Sequence, residues 1–168
     1  AQHVPIDETH PLQGQSPYSA SKIASDKLAE SFYCAYDLPV VTVRPFNTYG
    51  PRQSARAVIP AIISQALTAE VISLGNLDAR RDFTFVSDTV AGFLCAAEAR
   101  EVEGEVFNLG VGSDVRIRDL VAEILALLEI RKEICVAPER LRPTKSEVHR
   151  LVSDNRRARE ILGWAPRV

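Results

Sequence analysis

Val40-Val41-Thr42-Val43-Arg44-Pro45-Phe46 is a nearly unbroken β-branched run, with Leu38-Pro39 before it and Asn47, Gly50 and Pro51 after it. Alternating patterns mark half-exposed strands, whereas continuous ones mark parallel strands buried on both faces, so this run predicts a buried parallel strand. Upstream, residues 17–37 predict a helix. Pro17 suits its first turn, and Ile23, Leu28 and Phe32, with alanines between them, give it a broad apolar face. Downstream, residues 47–56 predict a loop punctuated by Gly50-Pro51. Helices follow over 57–69, from a cap at Ser87 or Asp88 to 99, over 117–128 and over 155–162. Between them lie short strands over 71–74, 83–86, 106–109 and 134–137, and an extended piece over 151–153. Helices alternating with strands indicate an α/β architecture.

The 168 residues are enough for one domain with a real core. A net charge of −2 offers no basic footprint for nucleic acid or an anionic membrane, and no apolar run approaches the length of a membrane span. The three cysteines, Cys34, Cys95 and Cys135, lie far apart in apolar segments without metal-ligand spacing. They read as reduced core residues of a cytosolic protein. His3, His10 and His149 form no cluster in the sequence, so no metal site is expected.

Tyr18-Ser19-Ala20-Ser21-Lys22 places a phenol and an ammonium on one face of the predicted helix. A free tyrosine is a poor base near neutrality, and a neighbouring cation favours its phenolate. The pair therefore reads as a tuned acid/base able to take a proton from a sugar or alcohol hydroxyl. Four further blocks follow: Arg44-Pro45-Phe46-Asn47-Thr48-Tyr49-Gly50-Pro51-Arg52, Arg81-Asp82-Phe83-Thr84-Phe85-Val86-Ser87-Asp88, Phe107-Asn108-Leu109-Gly110 and Leu162-Gly163-Trp164. In this order and spacing the chain resembles the extended short-chain dehydrogenase/reductase family, in particular its nucleotide-sugar epimerases and 4,6-dehydratases. Residues 53–60 and 142–148 look most like bacterial dehydratases acting on nucleotide-linked N-acetylhexosamines.

The resemblance implies the C-terminal part of a doubly wound, Rossmann-type parallel sheet plus a small α/β substrate-binding lobe. Residues 16–47 and 87–110 would supply the cofactor sheet, and 48–86 and 111–168 the lobe. The family's Gly-rich phosphate turn has no counterpart here; Gly110-Val111-Gly112 reads as a strand-to-helix turn. Residues 1–168 are accordingly expected to be one incomplete domain, a fragment inactive on its own. By the same resemblance the cofactor is NAD, contacted by Tyr18, Lys22 and Pro45, with Tyr18 as catalytic base and Lys22 as its partner. Asn47, Arg81, Arg142 and Glu147 would bind the nucleotide sugar, Glu147 serving as acidic partner to Arg142.

Local readings stand beside several of these roles. Asn47 could instead make an Asx-type turn before Gly50-Pro51, and Arg81 a surface ion pair with Asp78 or Asp82. Arg80, next door, leaves the register open. Arg52 and Arg56 suit either a phosphate or water, Asp88 reads as a helix cap, and Trp164 as structural, at a helix end packed on the small lobe. The residues leave 4,6-dehydratase, 4-epimerase and a non-catalytic nucleotide-sugar-binding relative as alternatives. In the family the helix over 17–37 helps to form a subunit interface, so a homodimer is expected.

Overall fold

The computed structural model describes residues 1–168 as a mixed α/β fold. Helix α1 (Pro17–Tyr36) begins at a reciprocal cap: Ser19 N donates to the Ser16 hydroxyl, and Ser16 N donates to the Ser19 hydroxyl. It stops at Asp37, whose left-handed φ of 52° turns the chain away. Strand β1 (Thr42–Pro45) then pairs in parallel with β6 (Val106–Leu109), Thr42 opposite Val106 and Pro45 opposite Leu109. β1 is half-buried, not buried on both faces as its sequence predicts, because α1, one of the helices that contact it, is itself nowhere buried and covers it only in part.

The segment predicted as a loop over 47–56 begins with a strand, β2 (Asn47–Tyr49), paired in parallel with β5 (Phe83–Phe85). That partner is remote in sequence, so no local pattern announces the pairing. Tyr49 packs edge-on against Phe83 and Phe85. Next come α2 (Val58–Thr68), β3 (Val71–Leu74), α4 (Ile117–Leu127) and β8 (Glu133–Val136). β3 and β8 pair in parallel, and the two helices enclose the main core, in which Ile62, Ile72 and Val121 are fully buried. A three-stranded sheet of two-residue strands completes this region in the order β7 (Val115–Arg116), β4 (Arg80–Arg81), β9 (Arg150–Leu151). Strands this short carry no periodic signal, which is why only the last of them is foreshadowed in the sequence. Gly110-Val111-Gly112 accordingly leads from β6 into β7, and α4 starts only afterwards.

Helix α3 (Val86–Glu98) corrects the expected cap. Phe85 occupies the cap position without a side-chain bond, and Asp88 lies inside the first turn. Asp88 instead holds the end of the chain. Its carboxylate accepts from the backbone N–H groups of Arg167 and Val168 at 3.0 Å, and its carbonyl accepts from Trp164 Nε1 at 2.9 Å. Helix α5 (Arg156–Leu162) delivers Trp164 to a second cluster with Leu109 and Ala158, flanked by Val43 and Cys95. Trp164 is therefore structural, packing between Ala158 of α5 and the β1–β6 layer.

The cysteines are free thiols; Cys95 is half-buried against the Trp164 cluster, whereas Cys34 and Cys135 are exposed and so are not core residues as predicted. No helix is long and apolar enough to cross a membrane. At the start of the chain, Ile6 donates to the Val152 carbonyl and accepts from Asp154 N, pinning an otherwise irregular segment beside β9. The fully buried Ile62 makes the main core sensitive to truncation. Ile62→Ala is expected to lower the unfolding free energy by about 2–5 kcal/mol in urea titrations followed by circular dichroism.

Candidate functional site

Adjacent residues on a strand face opposite sides, and β4 uses this alternation to divide two arginines between two tasks. Arg80 donates to the Asp114 carboxylate from Nε and Nη2, each at 2.7 Å, and Arg150 donates to the same carboxylate. Arg81 reaches the other way, donating to the Arg80 carbonyl at 2.9 Å and to Glu147 Oε1 at 3.4 Å. The ion pairs considered from sequence, with Asp78 or Asp82, do not form. Glu147 is the partner of Arg81, not of Arg142 as predicted.

Asn47, Arg81, Arg142 and Glu147 line one cavity of about 850 Å³. Arg56 and Arg140 join them, so four arginines face one glutamate across the space. Val58, Ile59, Leu74, Phe83 and Ile117 supply an apolar wall. Burial pushes the Arg81 guanidinium below the usual arginine range; Glu147 opposes that shift and Arg142 adds to it. A partly desolvated cation with one long ion pair gains from a further anion, and its planar fork suits phosphate oxygens.

Asn47 is held from outside its own turn. Its backbone N–H and its Nδ2 both donate to the Asp82 carbonyl, at 3.1 and 3.0 Å. The Asx-turn reading is thereby replaced by a tertiary bond. Gln53, Asn76 and Arg140 also line the cavity although the sequence does not single them out; Arg140 betrays itself only by standing just before Arg142. Gln53 is fixed by a bond from Nε2 to the Thr48 carbonyl at 2.8 Å.

Tyr18, Lys22 and Pro45 do not line this cavity. Tyr18 and Lys22 stand one turn apart at the start of α1, both open to solvent, with Tyr18 75% exposed. Pro45 is the exposed last residue of β1.

Asp114 anchors the face of β4 opposite the cavity. Burial works to raise its carboxyl, but hydrogen bonds from Arg80 and Arg150 outweigh burial and hold it below the ordinary value of 3.8. A carboxyl depressed in the folded state stabilises above its unfolded value, and that stability is lost as pH falls through the folded one. Asp114→Asn should therefore be less stable than the wild type at pH 7. The difference should shrink below about pH 4, as read from urea midpoints across pH.

The profile of the GDP-mannose 4,6 dehydratase family matches residues 1–168. A UDP-glucose 4-epimerase of Mycolicibacterium smegmatis is 35% identical over 98% of this chain and 52% of its own length. A dTDP-glucose 4,6-dehydratase of Xanthomonas campestris is 34% identical over 95% of this chain and 47% of its own. Among solved structures, the dTDP-glucose 4,6-dehydratase of Bacillus anthracis in complex with NAD superposes with a TM-score of 0.88 at 27% identity, covering all of this chain and 52% of that one. The chain thus spans about half the length of the relatives it matches. Its order of elements, its parallel pairs and its matched profile agree: the chain belongs to the GDP-mannose 4,6 dehydratase family, among the nucleotide-sugar dehydratases and epimerases of the extended short-chain dehydrogenase/reductases.

Proposed function

We propose that the protein acts in the NAD-dependent 4,6-dehydration of a nucleotide-activated hexose, forming a 4-keto-6-deoxy sugar. The arginine-rich cavity around Asn47 carries this reading. Arg81 and Arg142 suit the two phosphates of a nucleoside diphosphate, and the wall of Val58, Ile59 and Leu74 suits a base or sugar face. The N-acetylhexosamine preference rests on the resemblance of residues 53–60 and 142–148 alone.

Tyr18 is the base in this proposal, taking the proton of the sugar 4-hydroxyl, with the Lys22 ammonium one helical turn away. The donor set suits a dinucleotide: a phenol and an ammonium lie open beside each other on α1, and Pro45 ends β1 without a covering side chain. When bound, NAD would supply the acceptor for the C4 hydride and the donor that returns it to C6. Between those transfers C5 loses a proton and C6 its hydroxyl, which leave together as water; on return of the hydride to C6, C5 regains a proton.

Proton NMR of the full-length protein to which these residues are expected to belong, with NAD and UDP-, GDP- or dTDP-linked hexoses, tests the proposal. A new C6 methyl doublet at the expense of the hydroxymethyl signal is expected, and Tyr18→Phe should slow its appearance by at least about 100-fold. The 35% identity to a 4-epimerase supports the second reading. A C4-inverted sugar with C6 untouched would establish that one instead, and nucleotide binding without turnover would leave a binding relative.

A homodimer is part of the same proposal. None of the residues of α1 is buried, and Leu28, Phe32 and Tyr36 are exposed along it. Sedimentation should give twice the monomer mass, and Phe32→Glu should return it to the monomer.

A further inference from the structure

Asp82 is fully buried at 0% exposure, yet it neither lines the cavity nor pairs with a cation. Its carboxylate accepts three backbone N–H groups instead: Val111 at 2.8 Å, Gly112 at 2.9 Å and Ser153 at 3.0 Å. Its peptide is fixed at both ends. Its N–H donates to the Leu151 carbonyl at 2.9 Å, and its carbonyl takes both donors of Asn47. We infer that Asp82 is a positioning residue for the nucleotide-binding cavity, locking Asn47 and Arg81 to the turn at the end of β6 and to the segment after β9.

The inference rests on the nucleotide-sugar reading of the cavity. Asn47 and Arg81 flank Asp82, one by hydrogen bond and the other by peptide bond, so a tilt of the Asp82 peptide moves both. The opposite side of Asp82 cannot absorb such a tilt. A Cβ on Gly110 would lie 2.3 Å from Ser153 Cβ and 2.8 Å from Asp82 Oδ2, which means the turn and the carboxylate are already in contact. Gly112, at a φ of +86°, bends the turn so that consecutive N–H groups point at the same carboxylate. An asparagine at position 82 would keep the shape but offer one acceptor oxygen in place of two. Its amide hydrogens would then face N–H groups.

Calorimetry with UDP, GDP and dTDP on the wild type, Asp82→Asn and Trp164→Phe tests this. Asp82→Asn is expected to weaken whichever diphosphate the wild type binds by about tenfold. Trp164→Phe loses its bond to the Asp88 carbonyl, neither residue lining the cavity or bonding to Asp82, and should change that affinity by less than about twofold. Unchanged affinity in Asp82→Asn, or an equal loss in both variants, overturns the inference. Should Asp82→Asn fail to fold, amide exchange of the wild type decides. Saturating diphosphate is expected to slow the Val111, Gly112 and Ser153 amides about tenfold while those of α5 keep their rates. Unchanged exchange with ligand bound overturns the inference. If the wild type binds none of the three diphosphates, the nucleotide-sugar reading falls first and takes the inference with it.

Discussion

The convergence of three backbone N–H groups on the Asp82 carboxylate joins parts of the chain that sequence order keeps far apart. Burial acts to raise this carboxyl, and the three N–H groups act to lower it; burial prevails, so the shift is upward. Leaving such a group without its donors costs far more than the bonds gain, and for that reason the donors are fixed in place around it. The strand order β7-β4-β9, the turn after β6 and the placement of Asn47 all meet at this one residue.

From that junction β4 sorts charge to its two sides. Arg80 and Arg150 share Asp114, which holds the outer face of the short sheet closed. Arg81 faces inward with Glu147 as its one, longer ion pair, among the further arginines Arg56, Arg140 and Arg142. On one side of the strand each arginine is held on a carboxylate at close range, and on the other Arg81 has only a long ion pair among further arginines. On the proposed reading a nucleoside diphosphate would complete the second side, and strand alternation is the reason that two adjacent arginines can serve such different ends.

Two apolar clusters hold this arrangement in place. The larger, with Ile62, Ile72 and Val121 at its centre, fixes α2 and β3 along one wall of the cavity. The smaller joins Trp164 to Leu109 of β6, and the bonds from Trp164 and the terminal backbone to Asp88 hold the end of the chain to α3. β6 thus carries the hinge between a packing role at Leu109 and the turn at Val111 and Gly112 that serves Asp82.

The α/β class and the five α-helices were legible in the sequence, because apolar periodicity and β-branched runs are local signals. Pro17 opened α1 where expected, and the family was recognisable from five ordered motifs. Asn47, Arg81, Arg142 and Glu147, which share the cavity, were also named in advance, whereas Gln53, Asn76 and Arg140 were not, because nothing local sets them apart. The partners of the named residues were not. Glu147 chose Arg81 over Arg142, Asn47 bonded to Asp82 in place of its own turn, and Asp88 held the chain end instead of capping α3. Sequence determines what a residue can donate, accept or bury. Only the tertiary fold determines which of several chemically equal partners comes within hydrogen-bonding distance, because strand register and peptide orientation are set by contacts between segments far apart along the chain.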